Sequence, residues 1–210
     1  MLRVSRQRAA TLLGLAALLV LASGARLVCP DRGCPVPAPD AAVLAALHGS
    51  QSVWLDRGFA TVSWLGSLFV LVPATLLLAW RDWVGKRRHR AAFVPAALAG
   101  ASLFAHLAKL LVERPRPDLF PALAAMPQDA SFPSAHAMQI TAFTAAWLSA
   151  PGRRPLPGEV AAGMALILAV ALSRIHLQLH FPSDVAFGLA AAVLWVMALR
   201  CLPFWSKGER

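Results

Sequence analysis

Ser173-Arg174-Ile175-His176-Leu177-Gln178-Leu179-His180-Phe181-Pro182-Ser183-Asp184 separates two apolar runs, each greasy enough to lie in a bilayer. How this stretch is read decides the fold. On one continuous helix, His176, His180 and Asp184 would recur every fourth position and suggest a metal site. Pro182 argues against that helix, because it lacks a backbone donor and its ring clashes with the preceding turn. It fits the first position of a new helix instead. The stretch then becomes the turn of a helical hairpin. Asp184 lies in the first turn of the second helix, with His180 just before it. There the carboxylate can hold one ring nitrogen of His180 and leave the other free to attack. His176 becomes a bystander.

Composition places this hairpin in a membrane. The chain has 210 residues, 58% hydrophobic and only 14% charged, where a soluble domain carries about 25% charged residues. Seven tryptophans suit interfacial belts. A formal charge of +10 would raise nucleic acid as a partner for a soluble protein. Here the basic residues cluster between apolar runs, which is a topology signal, so no nucleic acid is expected. The fold class expected is all-α, an integral membrane bundle of about six transmembrane helices in a single domain over 1–210.

The apolar runs are Ala9 to Ala25, Gly58 to Trp80, Ala91 to about Val112, Ser134 to Ala150, Glu159 to Arg174, and Pro182 to Leu202. Segment 1–26 reads as a first transmembrane helix, or as a signal-like segment, since Ser23-Gly24-Ala25 resembles a cleavage site. A retained helix is preferred. Residues 58–202 form the expected helical core. Between the first two runs lies a Pro-rich loop, 26–57, whose middle, Ala41 to Leu47, is expected to form a short helix on the membrane surface. Cys29 and Cys34 in that loop are either bridged or two free thiols. With six spans, the basic clusters at the N-terminus, 81–90, 153–154 and the tail share one side. The positive-inside rule puts that side in the cytoplasm. Loops 26–57, 113–133 and 175–181 then face outward, toward the periplasm or cell exterior.

Three polar patches share that outer face. The first holds Lys109 and Arg116, the second Ser134, Ala135 and His136, the third Arg174, His180 and Asp184. Arginine offers a planar fork of donors that matches phosphate oxygens, and lysine offers a point charge. Lipid-headgroup anchoring explains most juxtamembrane arginines, but not why two of these sit beside serine and histidine. Ser134 can cap the fourth run, whose free amides then form an anion site.

The patches read Lys109-(six residues)-Arg116-Pro117, Pro133-Ser134-Ala135-His136 and Ser173-Arg174-(five residues)-His180-(three residues)-Asp184. In order and spacing they resemble the three motifs of the type 2 phosphatidic acid phosphatase superfamily, membrane lipid phosphatases related to vanadium haloperoxidases. The resemblance implies catalytic roles for His180, His136 and Asp184. His180 would attack phosphorus and form a phosphohistidine, Asp184 would orient it, and His136 would protonate the leaving oxygen and then activate water. Lys109, Arg116, Ser134, Ala135 and Arg174 would bind the substrate phosphate. It implies no metal and no cofactor. The implied partners are membrane lipids and a lipid phosphate or diphosphate substrate: undecaprenyl diphosphate first, then phosphatidic acid, phosphatidylglycerophosphate and lipid A phosphate. The expected location is a bacterial cytoplasmic (inner) membrane. Rival readings are a non-catalytic binder or transporter of anionic lipids, a phosphotransferase, and a haloperoxidase, whose soluble relatives this chain does not resemble in composition.

Ala135 stands where the family usually has glycine. In the first turn of a helix, alanine keeps the backbone donor and favours the helix. Ala135→Gly is therefore expected to leave turnover within about tenfold of wild type. A gain of several orders of magnitude in phosphate release would show that the site needs glycine there.

Overall fold

The computed structural model describes residues 2–30 and 33–206, and nine helices form among them. They are α1 (Leu2–Val28), α2 (Ala38–His48), α3 (Val53–Ser63), α4 (Leu68–Val84), α5 (Arg88–Val112), α6 (Ala135–Leu148), α7 (Pro157–His176), α8 (Pro182–Cys201) and α9 (Pro203–Ser206). The basic tail beyond Ser206 lies outside the described residues.

α1, α5, α7 and α8 are long and apolar enough to cross a membrane. The second apolar run is not one straight span. α3 and α4 are bent by 44° across the break at Trp64–Gly66, where Ser67 Oγ and N both bond to Trp64 O. As a broken pair they make a fifth crossing. α6 has 14 residues, about 21 Å at the helical rise and short of the hydrocarbon core. Counting it gives the expected bundle of about six, and the chain is an integral membrane protein.

α6 can be short because it stands in the middle. It packs against α4, α5, α7 and α8, and Ala137 through Ala142 are all buried. Lipid tails are as apolar as leucine, so helices in a bilayer associate through close packing rather than burial from water. The sequence supplies small residues for this: Ala97, Ala101 and Ala105 on α5, Ala142 and Ala146 on α6, Ala191 and Ala192 on α8 are all buried. Gln139 adds a hydrogen bond to Ser102 across α6 and α5. Leu76, Leu77, Leu110 and Leu111 point outward, where lipid would meet them. α1 lies along α8 and buries Ala17, Leu21 and Val28 as part of the bundle.

The basic clusters gather at one end. Buried Asp82 pairs with Arg87 and Arg90 at the corner between α4 and α5. Arg153, from the corner between α6 and α7, lies close enough to Arg90 to repel it. The end of α5, the start of α6, the end of α7 and the start of α8, which carry the three polar patches, lie at the other end. Cys29 and Cys34 are joined as a disulfide. α2 does form in the Pro-rich loop, but it is more than a surface helix: Leu44 is fully buried among Ala171, Ile175, Phe181 and Val185.

The small-residue seam can be tested. Ala101→Leu adds volume where α5 meets its neighbours and is expected to destabilise the protein by about 1–3 kcal/mol. A lowered thermal midpoint in detergent is the readout. An unchanged midpoint would mean the seam tolerates expansion.

Candidate active site

Each sequence-derived site residue sits at a helix end, and the hairpins bring these ends together. Lys109 is in the last turn of α5, and Arg116 follows in the loop between α5 and α6. Glu113 takes a left-handed conformation at φ 51° and turns the chain out of α5. Ser134, Ala135 and His136 open α6. Arg174 is in the last turn of α7, and Asp184 is in the first turn of α8, after Pro182 at its start. The break at Pro182 is therefore where the sequence implies it.

The turn that carries His180 is held tightly. Leu179 N and His180 N both donate to Arg174 O, at 3.1 and 3.2 Å. Gln178 takes φ 58°, the left-handed region that lets the chain reverse. Its side chain donates to Leu44 O of α2. Ser134 N donates to Asp184 O at 3.1 Å, which joins the start of α6 to the start of α8.

A cavity of about 520 Å³ opens here. Lys109, Arg116, Ala135, His136, Arg174 and His180 all line it. Ser134 and Asp184 are fully buried and are not among its lining residues. His180 Nδ1 is 3.5 Å from Asp184 Oδ2. Its other nitrogen, Nε2, is 3.2 Å from Arg116 Nη1. An arginine nitrogen only donates, so this contact fits the tautomer with the proton on Nδ1 and a lone pair on Nε2. Burial, and then the charges of Arg174, Arg116 and Lys109, push the His180 pKa well below its ordinary value. The ring is thus neutral.

The three cations differ in how fully they are bonded, and Arg116 Nη1 also donates to Leu179 O at 2.7 Å. Arg174 donates to Ser63 Oγ at 2.6 Å, while its Nε is buried with no partner. Lys109 and Arg116 share Asp129. Lys109 Nζ is 3.2 Å from Asp129 Oδ2 and donates to Ala130 O. Arg116 reaches Asp129 through both its carboxylate and its carbonyl oxygen. Burial would raise the Asp129 pKa, but the Arg116 hydrogen bond and the charges of Lys109 and Arg116 outweigh it and hold the group below the usual carboxylate range. Asp129 also lines a second cavity of about 580 Å³.

Ser134 differs from the sequence reading. It occupies the N-cap position of α6, but its side chain makes no capping bond, and its buried Oγ has no partner. His176 pairs with Asp56 at 2.8 Å and stacks near Phe59. It therefore does not converge with His180 and Asp184, and no metal-holding group of three forms among the described residues.

Sequence reasoning missed Asp129, Ser63 and Asp40, and gave no role to Ser131 and Arg114, which lie within the polar patches at 131–136 and 109–117. Ser131 Oγ donates to Asp184 Oδ2 and lies 3.4 Å from His180 Nδ1. Arg114 stands two residues before Arg116, so a second cation at the boundary was a usable signal. Asp40 and Ser63 carry no local signal. Gly66 was missed for another reason. A Cβ there would sit 2.7 Å from Val170 and 3.1 Å from His136 Cβ. Only glycine lets the Trp64–Gly66 break close over the site.

Comparison with known proteins agrees with this geometry. Residues 90–207 match the model of the PAP2 superfamily. The chain is 38% identical over 164 residues to decaprenylphosphoryl-5-phosphoribose phosphatase of Mycobacterium tuberculosis, in strains H37Rv and CDC 1551, covering 73% of this chain and 85% of that protein. The crystal structure of a transmembrane PAP2-type phosphatidylglycerolphosphate phosphatase from Bacillus subtilis has a similar fold, with a TM-score of 0.75 at 20% identity over 89% of this chain and 94% of that one. Aquifex aeolicus LpxE is also similar, with a TM-score of 0.66 at 19% identity over 78% of this chain and 96% of that one. A family match over more than half of the chain, joined to a close relative named as a phosphatase, makes this chain a member of the PAP2 superfamily and a membrane phosphatase.

Proposed function

We propose that the chain hydrolyses a lipid phosphate through a phosphohistidine on His180. The observation that carries this reading is the orientation of that ring. Nδ1 faces Asp184, and Nε2 faces the cavity where Lys109, Arg116 and Arg174 gather. A phosphoryl group in the cavity would replace Asp129 as the partner of Lys109 and Arg116 and would meet the unpartnered Nε of Arg174. Ser134 Oγ has no partner, but Ser134 does not line the cavity, so its hydroxyl would reach the phosphoryl group only by moving.

In the first half-reaction, Nε2 attacks phosphorus and the bond from phosphorus to the lipid oxygen breaks. His136 gives that oxygen a proton, so an alcohol leaves. Asp184 stabilises the positive ring through Nδ1–H. In the second half, His136 takes a proton from water, the hydroxide attacks phosphorus, and the nitrogen–phosphorus bond breaks. The three cations stabilise the charge that builds on the phosphoryl oxygens in both steps. A pure binder or transporter would need the cations but not the His180–Asp184 pair. Residues 58–202 supply every residue of this set within a single domain over 1–210.

The substrate class we favour is a lipid phosphate monoester on a polyprenyl carrier. Support comes from the Mycobacterium relative, whose name specifies a decaprenylphosphoryl sugar phosphate. Undecaprenyl diphosphate, phosphatidic acid, phosphatidylglycerophosphate and lipid A phosphate complete the panel to assay. The clustering of Arg81, Arg87, Arg90 and Arg153 at the end opposite the site supports a cytoplasmic basic face. The site then faces the periplasm or exterior of a bacterial inner membrane.

His180→Ala is expected to abolish phosphate release from every panel lipid, with a chelator present, and to prevent trapping of a phosphoenzyme. Release at the wild-type rate in that variant would remove the mechanism, and release sensitive to the chelator would bring a metal back. A second expectation concerns Asp129. Asp129→Asn removes the carboxylate that competes for Lys109 and Arg116, so inorganic phosphate should inhibit at lower concentration, by about three- to tenfold. An unchanged or raised inhibition constant would show that the carboxylate does not compete with phosphate.

A further inference from the structure

Behind the His180–Asp184 pair lie two buried charges, Arg114 and Asp40, that the reaction above does not use. Arg114 is 1% exposed, Asp40 4% and Asp184 0%. One Arg114 nitrogen, Nη1, donates to Asp184 Oδ1 and, at 2.8 Å, to Ser183 Oγ. The other, Nη2, donates to Asp40 Oδ2 at 3.1 Å. The guanidinium lies 4.0 Å from the centre of the Phe181 ring. Asp40 also accepts from Ser183, through the backbone N–H at 2.9 Å and through the hydroxyl. The two oxygens of Asp184 thus have different tasks. Oδ1 meets Arg114, while Oδ2 accepts from Ser131 and from Phe181 N and faces His180 Nδ1.

Charge accounting explains why two carboxylates share one arginine. An Arg114 paired with Asp184 alone would cancel the carboxylate charge that His180 needs when its ring becomes positive. A second carboxylate on the far side draws part of that positive charge away. Asp184 is then fixed in place yet keeps a net negative charge toward the histidine. A planar fork can bridge two carboxylates in fixed directions, which a lysine cannot do. Asp40 comes from the first turn of α2, a helix far away in sequence. α2 docks on the same turn through Leu44, whose side chain is buried against Phe181 and whose carbonyl holds Gln178.

The geometry points to Asp40 and Arg114 as positioning residues for the reaction: an Asp40–Arg114–Asp184 relay, brought by α2, that sets the orientation and charge of the carboxylate behind His180. This rests on His180 as the attacking group. α2 is therefore part of the catalytic apparatus and not only a cover over the loop end.

The relay predicts a split between turnover and binding, because Lys109, Arg116 and Arg174 hold the phosphate independently of it. Asp40→Asn keeps the shape of the side chain and removes its charge. It should lower kcat roughly tenfold or more on the panel lipid that wild type cleaves fastest. KM and the inhibition constant of inorganic phosphate should stay within about twofold. Arg114→Lys should show the same split, since one ammonium cannot serve both carboxylates. In an Asp184→Asn background, Asp40→Asn should add less than about twofold, because its effect passes through that carboxylate. Ser183→Ala, which loosens Asp40 without changing charge, gives a milder form of the same split if the other variants fold poorly. The relay is overturned if Asp40→Asn keeps wild-type kcat. It is equally overturned if kcat, KM and phosphate inhibition worsen together, or if the Asp40→Asn loss persists undiminished beside Asp184→Asn. His180→Ala separates the two readings. If that variant is dead while Asp40→Asn is normal, only the relay falls.

Discussion

Lys109, Arg116 and Arg174 converge on one cavity at a membrane boundary, and their mutual repulsion is the constraint that the rest of the structure answers. Three buried or half-buried cations would force the helix ends apart unless anions hold them. Asp129 pairs with both Lys109 and Arg116, and Arg174 keeps its buried Nε without a partner. The protein places a second set of carboxylates deeper, at Asp184 and Asp40, around Arg114. In the proposed reaction the outer layer yields to a phosphoryl group, while in the inner layer Arg114 already bonds both carboxylates and all three residues are buried.

That electrostatic arrangement requires a rigid frame. α6 serves as the post. Its first turn carries Ala135 and His136, its start is tied to Asp184 through Ser134 N, and its length is packed among α4, α5, α7 and α8. Alanine seams bring the neighbours close enough for the ends of α5, α7 and α8 to meet. The break between α3 and α4 closes the remaining side, where Gly66 touches His136 and Ser63 holds Arg174. The same bundle that satisfies the bilayer thus sets the distances in the site.

Much of this was legible in the residues. The hydropathy runs report the bundle because it depends on local composition. The division at Pro182 was legible because a proline restricts its own backbone wherever it stands. Helix ends α7 and α8 fall close to the expected positions, and the three motifs could be assembled because each is short and internally spaced. The bend between α3 and α4 was not legible. Gly58 to Trp80 is uniformly apolar, and the break depends on Gly66 meeting Val170 and His136 from distant helices. The cap assigned to Ser134 failed for a similar reason: the tertiary fold leaves its hydroxyl turned away from its own helix amides.

The sequence by itself determined the membrane character, the helical class, the hairpin at Pro182 and the three motifs, since hydropathy, proline geometry and motif spacing act over a few residues. Only the tertiary structure decided which anions the charges in those motifs meet. Asp40, Asp129 and Ser63 gain their meaning from partners 13 to 111 residues away. A carboxylate becomes part of a site when folding removes water from it and sets a cation beside it, and no local pattern records either event.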